Sequence, residues 1–300
     1  MKLKCLAILA ETNVEDIKSQ IDFWISDRAA DCTALFHNLQ IANDKILKCC
    51  AHLILCIDYA VDKTFKETEL KMGFDKLIQA NKILRSNSSS VHSLGLVALA
   101  KLVSPSHSSH SVSMYNEFKE WMSVNGYDSA SFTGFDSNRF GRIVGLAREF
   151  LKNRDALMAF FDAVVDENSN KLVLAVHTFI SNPWFICCNE VYSLIGEILI
   201  YPLMDLLGID GRGGDRKRNW ENVKEFVDAK LPELEKLRNN FANTILEEVL
   251  IALRRQLSSM DYFGSSTECS LDIDKIQRAP LTNLGCESEF AKLNNRIKIA

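Results

Sequence analysis

From Lys45 onward the chain places apolar residues three and four positions apart: Ile46, Cys49, Leu53, Cys56, Ile57, Ala60 and Val61. Side chains at this spacing share one helical face, so the pattern predicts an amphipathic helix from Lys45 to about Glu69. Its apolar stripe must be buried against other elements, which commits the chain to helix packing. The pattern recurs. Gly73 permits a break before a second helical stretch, Phe74 to Leu84, and Tyr115 to Val124 reads as a short helix carrying Phe118, Trp121 and Met122. Arg142 to Leu151, Arg154 to Val165, Leu172 to Phe179, Pro183 to Leu207 and Trp220 to Leu257 also read as helices. Pro202 would kink the fourth of these and Leu231-Pro232 would break the fifth. The expected fold is therefore mainly α, and 300 residues with 47% hydrophobic content make one large domain or two ordinary ones.

The amino-terminal part departs from this rule. Asn13 to Ser19 is predicted helical, with Thr12 or Asn13 as its cap and Glu15-Asp16 in the first turn. Phe23-Trp24-Ile25 then forms a short apolar run that predicts a strand ending at Ser26, and it delivers Asp27 to a turn. A carboxylate at a strand end is fixed by the strand and opened to solvent by the turn, the placement metal-dependent nucleases use. The plainer alternative is a turn or helix cap. Further on, Lys48-Cys49-Cys50-Ala51-His52-Leu53 sets Cys49 and His52 at a C-x-x-H spacing, one helical turn apart. That spacing suits a zinc half-site, but no second Cys/His pair has ligand spacing and Cys56 shares the face, so a packed Cys/His stripe is the competing reading.

Composition narrows the function. A net charge of −4 argues against a chain that is basic throughout, but phosphate binding depends on where charge sits. The densest basic cluster is the Gly-rich loop Arg212-Gly213-Gly214-Asp215-Arg216-Lys217-Arg218, which reads as a solvated connection or as a phosphate clamp. Nine cysteines without repeating spacing do not form a disulfide framework and suit a reducing compartment. The apolar run Cys5 to Ala10 is below the length of a signal-peptide core. Val191 to Leu207 is interrupted by Glu197 and Asp205, so no membrane partner is expected. Triads, Walker loops and dinucleotide fingerprints are missing.

Taken together, Ser26-Asp27 and the Lys48 to Leu53 block resemble the hAT superfamily of DNA transposases, in order and spacing. In that family a strand ends in a (T/S)-D motif. A short helical spacer follows, and a (R/K)-C-x-A-H-x-L block opens a long helical insertion into an RNase H-like core. The segment Pro280 to Ala291 is similar to the family's carboxy-terminal motif, with Glu287 on its Glu and Phe290 on its Phe, although Ser288 and Ala291 replace the usual Arg and Ser. Asn138-Arg139-Phe140 resembles an N-R-F block of animal transposon-derived relatives, and Tyr201-Pro202-Leu203 echoes their G-P-(L/F) segment.

The resemblance implies a large helical insertion domain with remnants of an RNase H-like α/β core. The core remnant would occupy 1–44, the helical insertion 45–257, and a linker with a truncated carboxy-terminal helix 258–300. It implies metal-dependent DNA strand cleavage and transfer as the ancestral activity, with Asp27 and Glu287 as catalytic carboxylates holding Mg2+ or Mn2+. The family's first catalytic Asp lies well upstream of its second, and Asp16 and Asp22 are too near Asp27 to supply it. A transposon-derived fragment inactive alone, and holding no stable metal, is the expectation. DNA is the implied partner, residually bound through Arg212, Arg216, Lys217 and Arg218, with homo-oligomerisation left open and a nuclear location. The rival class is a non-enzymatic helical DNA- or protein-binding module.

Overall fold

The computed structural model describes residues 13–16, 24–26, 46–49, 51–73, 89–105, 113–127 and 141–207, with parts of 34–41 and 223–254. The short turn at 14–16 is capped by Asn13, whose Oδ1 accepts the Asp16 N–H at 2.8 Å. Strand β1 (Trp24–Ser26) pairs in parallel with β2 (Ile46–Lys48), Trp24 opposite Ile46 and Ser26 opposite Lys48. Of the strand expected at Phe23–Ser26, Trp24–Ser26 is therefore present. Trp24 meets Phe36 edge-on at 5.9 Å, which brings Phe36 against the first strand.

The helix expected from Lys45 begins instead at Ala51. Ile46 and Leu47 belong to β2, because a short apolar run fits either period and the parallel ladder decides it. The rest of the described structure is helical: α1 (Ala51–Met72), α2 (Val91–Val103), α3 (Tyr115–Val124), α4 (Arg142–Val164), α5 (Lys171–Ile180), α6 (Pro183–Ile195) and α7 (Tyr201–Leu207). Gly73, at φ +77°, closes α1 as its sequence position suggests. The two helices expected over 142–165 are one. Asn153 is tolerated inside α4 because its Nδ2 donates to the Glu149 carbonyl at 2.9 Å, so the side chain satisfies itself on the helix.

Local chemistry sets the helix starts. The Ser90 hydroxyl accepts Ser93 N–H at α2, Asn170 accepts Leu172 N–H at α5, and Asn182 accepts Trp184 N–H at α6, where Pro183 takes the first position. α4 packs along α6, α2 lies against α4 and α5, α3 against α2 and α4, and α1 against α2 and α7. Their shared core is strongly aromatic, with Phe65, Phe150, Phe160, Phe161, Phe185 and Tyr192 all buried.

Between α6 and α7 the turn Gly196–Ile200 is π-helical, and the Tyr201 N–H reaches back to the Gly196 carbonyl. Pro202 supplies a reason. It has no N–H, and its ring would collide with the carbonyl four residues back, so the chain widens just before it. The expected irregularity at Pro202 thus falls one turn earlier. Gly196 also lets α4 come close, since a Cβ there would sit 2.3 Å from Val144 Cγ1. Among the described residues, Pro183–Leu207 is the one helical run long and apolar enough to cross a membrane, and it lies along α4 with Phe185, Tyr192, Leu199 and Leu203 buried in the bundle core.

Two glycines separate packing from propensity. A Cβ on Gly95 in α2 would meet the Phe179 ring at 2.1 Å, whereas one on Gly145 in α4 meets nothing within 4 Å. Gly95→Ala should destabilise the fold by about 1–3 kcal/mol through overpacking. Gly145→Ala should stabilise it by about 0.5–1 kcal/mol by lowering backbone entropy. Urea-denaturation midpoints at constant slope would check both, and equal effects would contradict the packing of α2 on α5.

Candidate functional site

Three carboxylates project from α1 toward the bundle: Asp58, Asp62 and Glu69. Steps of four and seven residues keep them near one helical face, beside the apolar stripe of Leu53, Ile57 and Val61. Glu69 is the deepest, 1% exposed. Its oxygens accept Val91 N–H at 2.7 Å, His92 N–H at 3.0 Å and Trp184 Nε1–H at 3.3 Å. Burial raises its pKa, and these three donors oppose that rise.

Asp62 lies nearer the helix start. Its carboxylate accepts Ser90 N–H at 3.2 Å and the hydroxyls of Ser90 and Ser93. Asp62 and Glu69 together therefore receive the first turn of α2, where free N–H groups and the helix dipole favour negative charge.

Asp58 is different. Its Oδ2 accepts the Gly141 N–H at 3.2 Å, at the entry to α4, while its Oδ1 is enclosed and has no hydrogen-bond partner. Gly141 sits at φ +75°, and a Cβ there would come within 2.9 Å of Ile200, so only glycine brings this amide so close. Burial pushes the Asp58 carboxyl up to about 7, the Gly141 amide opposes this, and nearby Asp62 adds to it. The Tyr192 hydroxyl donates to the Asp58 backbone carbonyl at 3.3 Å. Its pKa is raised well above the ordinary phenol value by burial and then by Asp58.

Behind these acids lies His92, fully buried, stacked on Tyr192 and flanked by Phe65 and Phe185. Burial lowers its pKa to about 3, with Asn189 opposing, so the ring is neutral near pH 7. Neither ring nitrogen meets a hydrogen-bond partner in good geometry, nor does Asn189 Oδ1, although Asn189 Nδ2 donates to the Phe185 carbonyl at 2.7 Å.

Asp58 and Asp62 open onto a pocket of about 370 Å³. Its polar lining among the described residues includes Ser89, Ser93 and Tyr192, and Leu55, Leu94, Val97 and Ile143 give it apolar walls. That combination of a few convergent polar groups on an apolar concavity is the usual form of a small-ligand site.

The residues selected from the sequence fare differently. Cys49 and His52 do not share a helical face. Cys49 precedes α1 and is 2% exposed, whereas His52 lies in the first helical turn and is half-buried, its N–H reaching the Cys49 carbonyl at 3.2 Å. The strand at 46–48 delays the helix, so Cys49 lies outside it. Among the described residues no group of three or more His, Cys, Asp or Glu side chains is placed to hold a metal ion. Asp27, Asn138, Arg139, Phe140, Arg212, Arg216, Lys217, Arg218, Glu287 and Phe290 lie outside the described residues.

The acids of α1 and the buried His92 escape a reading of the sequence alone. One signal is present there: Asp58, Asp62 and Glu69 follow the helical period next to the apolar stripe instead of opposite it. The serine run at 88–90 is a second, since it ends in the cap of α2. No family model, curated protein or solved structure matches the chain.

Asp58 should leave a pH signature. Between about pH 4 and about pH 7 the folded chain keeps a proton on Asp58 that the unfolded chain has released. Its contribution to stability therefore falls as pH rises through that window and is constant above it. Asp58→Asn mimics the protonated acid, so the variant should gain stability relative to the native chain across the window, with an upper bound of about 4 kcal/mol that water at the half-buried residue reduces. Urea unfolding of both proteins at several pH values measures this difference. A pH-independent difference would mean that the carboxyl is not held in its neutral form.

Proposed function

We propose that the chain is a transposon-derived relative of the hAT transposases, in which a helical insertion domain follows a remnant of an RNase H-like core. One observation carries the reading: Asp27 directly follows β1, and β1 pairs in parallel with β2, which leads into Cys49 and α1. Parallel strands require a crossover connection, usually helical, and the helical turn at 36–38 lies in that connection. The order of strand, Asp, helical spacer, second strand, Cys/His block and long helical body is the one the motif resemblance calls for. The helical body after residue 51 supports the insertion-domain assignment. Because the strand pair crosses residue 45, Ile46–Lys48 go with the core remnant in this reading and the insertion begins near Cys49.

In that role Asp27 and Glu287 are the two carboxylates of the ancestral metal site. Two-metal phosphodiester chemistry needs carboxylates that clamp both ions. The activity proposed for the chain itself is DNA association. With a net charge of −4, that association depends on a local basic cluster, and Arg212–Arg218 is the densest.

A salt titration of duplex DNA binding tests the assignment. Removing one phosphate-neutralising side chain should lower the salt slope by about one unit, so replacing Arg216, Lys217 and Arg218 with alanine should reduce it by up to about three and weaken all duplexes alike. Circular dichroism of the triple variant should be unchanged. Incubation of duplex with Mg2+ or Mn2+ should give no nicking. Equal slopes remove the loop from the DNA interface, absence of binding by the native chain favours a protein-interaction module, and cleavage abolished by Asp27→Ala would show an intact catalytic site.

A further inference from the structure

We draw no further inference here: the strongest candidate, the pocket between α1 and α2 lined by Asp58 and Asp62, carries none, because the unpartnered Asp58 Oδ1 is enclosed away from the cavity and nothing in the structure shows what would occupy it.

Discussion

Glu69 receives the first two backbone amides of α2 and the indole N–H of Trp184 on one side chain, and so it ties α1, α2 and α6 at a single buried point. The start of a helix leaves amide donors that must find partners once water is excluded. Here the His92 amide cannot reach solvent, since that residue is fully buried. The carboxylate of another helix takes the place of water. Replacing it by an apolar group would strand three donors at once, which makes this contact more consequential than any single pair of packed methyls.

The same arrangement explains why the interior tolerates so many polar groups. Ser90, Ser93 and Asp62 satisfy each other around the start of α2, and the aromatic rings of Phe65, Phe185 and Tyr192 enclose His92 beyond them. A neutral imidazole then serves as a flat packing element, stacked on Tyr192 at 5.5 Å. Around Asp58 the pairing is incomplete, with one enclosed oxygen left unpaired. The core is thus saturated at Glu69, while Asp58 Oδ1, the His92 ring nitrogens and Asn189 Oδ1 are left without hydrogen-bond partners.

The mainly helical body can be read from the sequence wherever the apolar period is long and the caps are strong. Pro183 onward is the clearest case, with Asn182-Pro183 marking a helix start without ambiguity. The period fails over short spans. Ile46 and Leu47 fit a helix stripe and a strand equally, and only the partner strand at Trp24–Ser26 settles which applies. Arg142 to Val164 looks divided because Lys152-Asn153-Arg154 interrupts the apolar pattern, yet Asn153 satisfies itself inside the turn. The carboxylates of α1 are harder to see. An acid beside an apolar stripe resembles a solvated flank until the donors of a distant segment come into view, and those donors sit 22 or more positions away. The family motifs at Asn138–Phe140 and Glu287–Phe290 remain statements of the sequence, outside the described residues.

The wide turn at Gly196–Ile200 also resets which side of the helix faces inward. Up to Ile195 the buried positions follow a regular rhythm through Trp184, Cys188, Tyr192 and Ile195. Carried on at the ordinary pitch, that rhythm would bring Pro202 and Leu206 to the interior. The extra residue held in the turn advances the phase by about 100°, and Leu203 and Leu207 arrive there instead. The turn thus works as a one-residue spacer between two registers, keeping a proline ring off the bundle axis while a continuous rod of backbone runs past it.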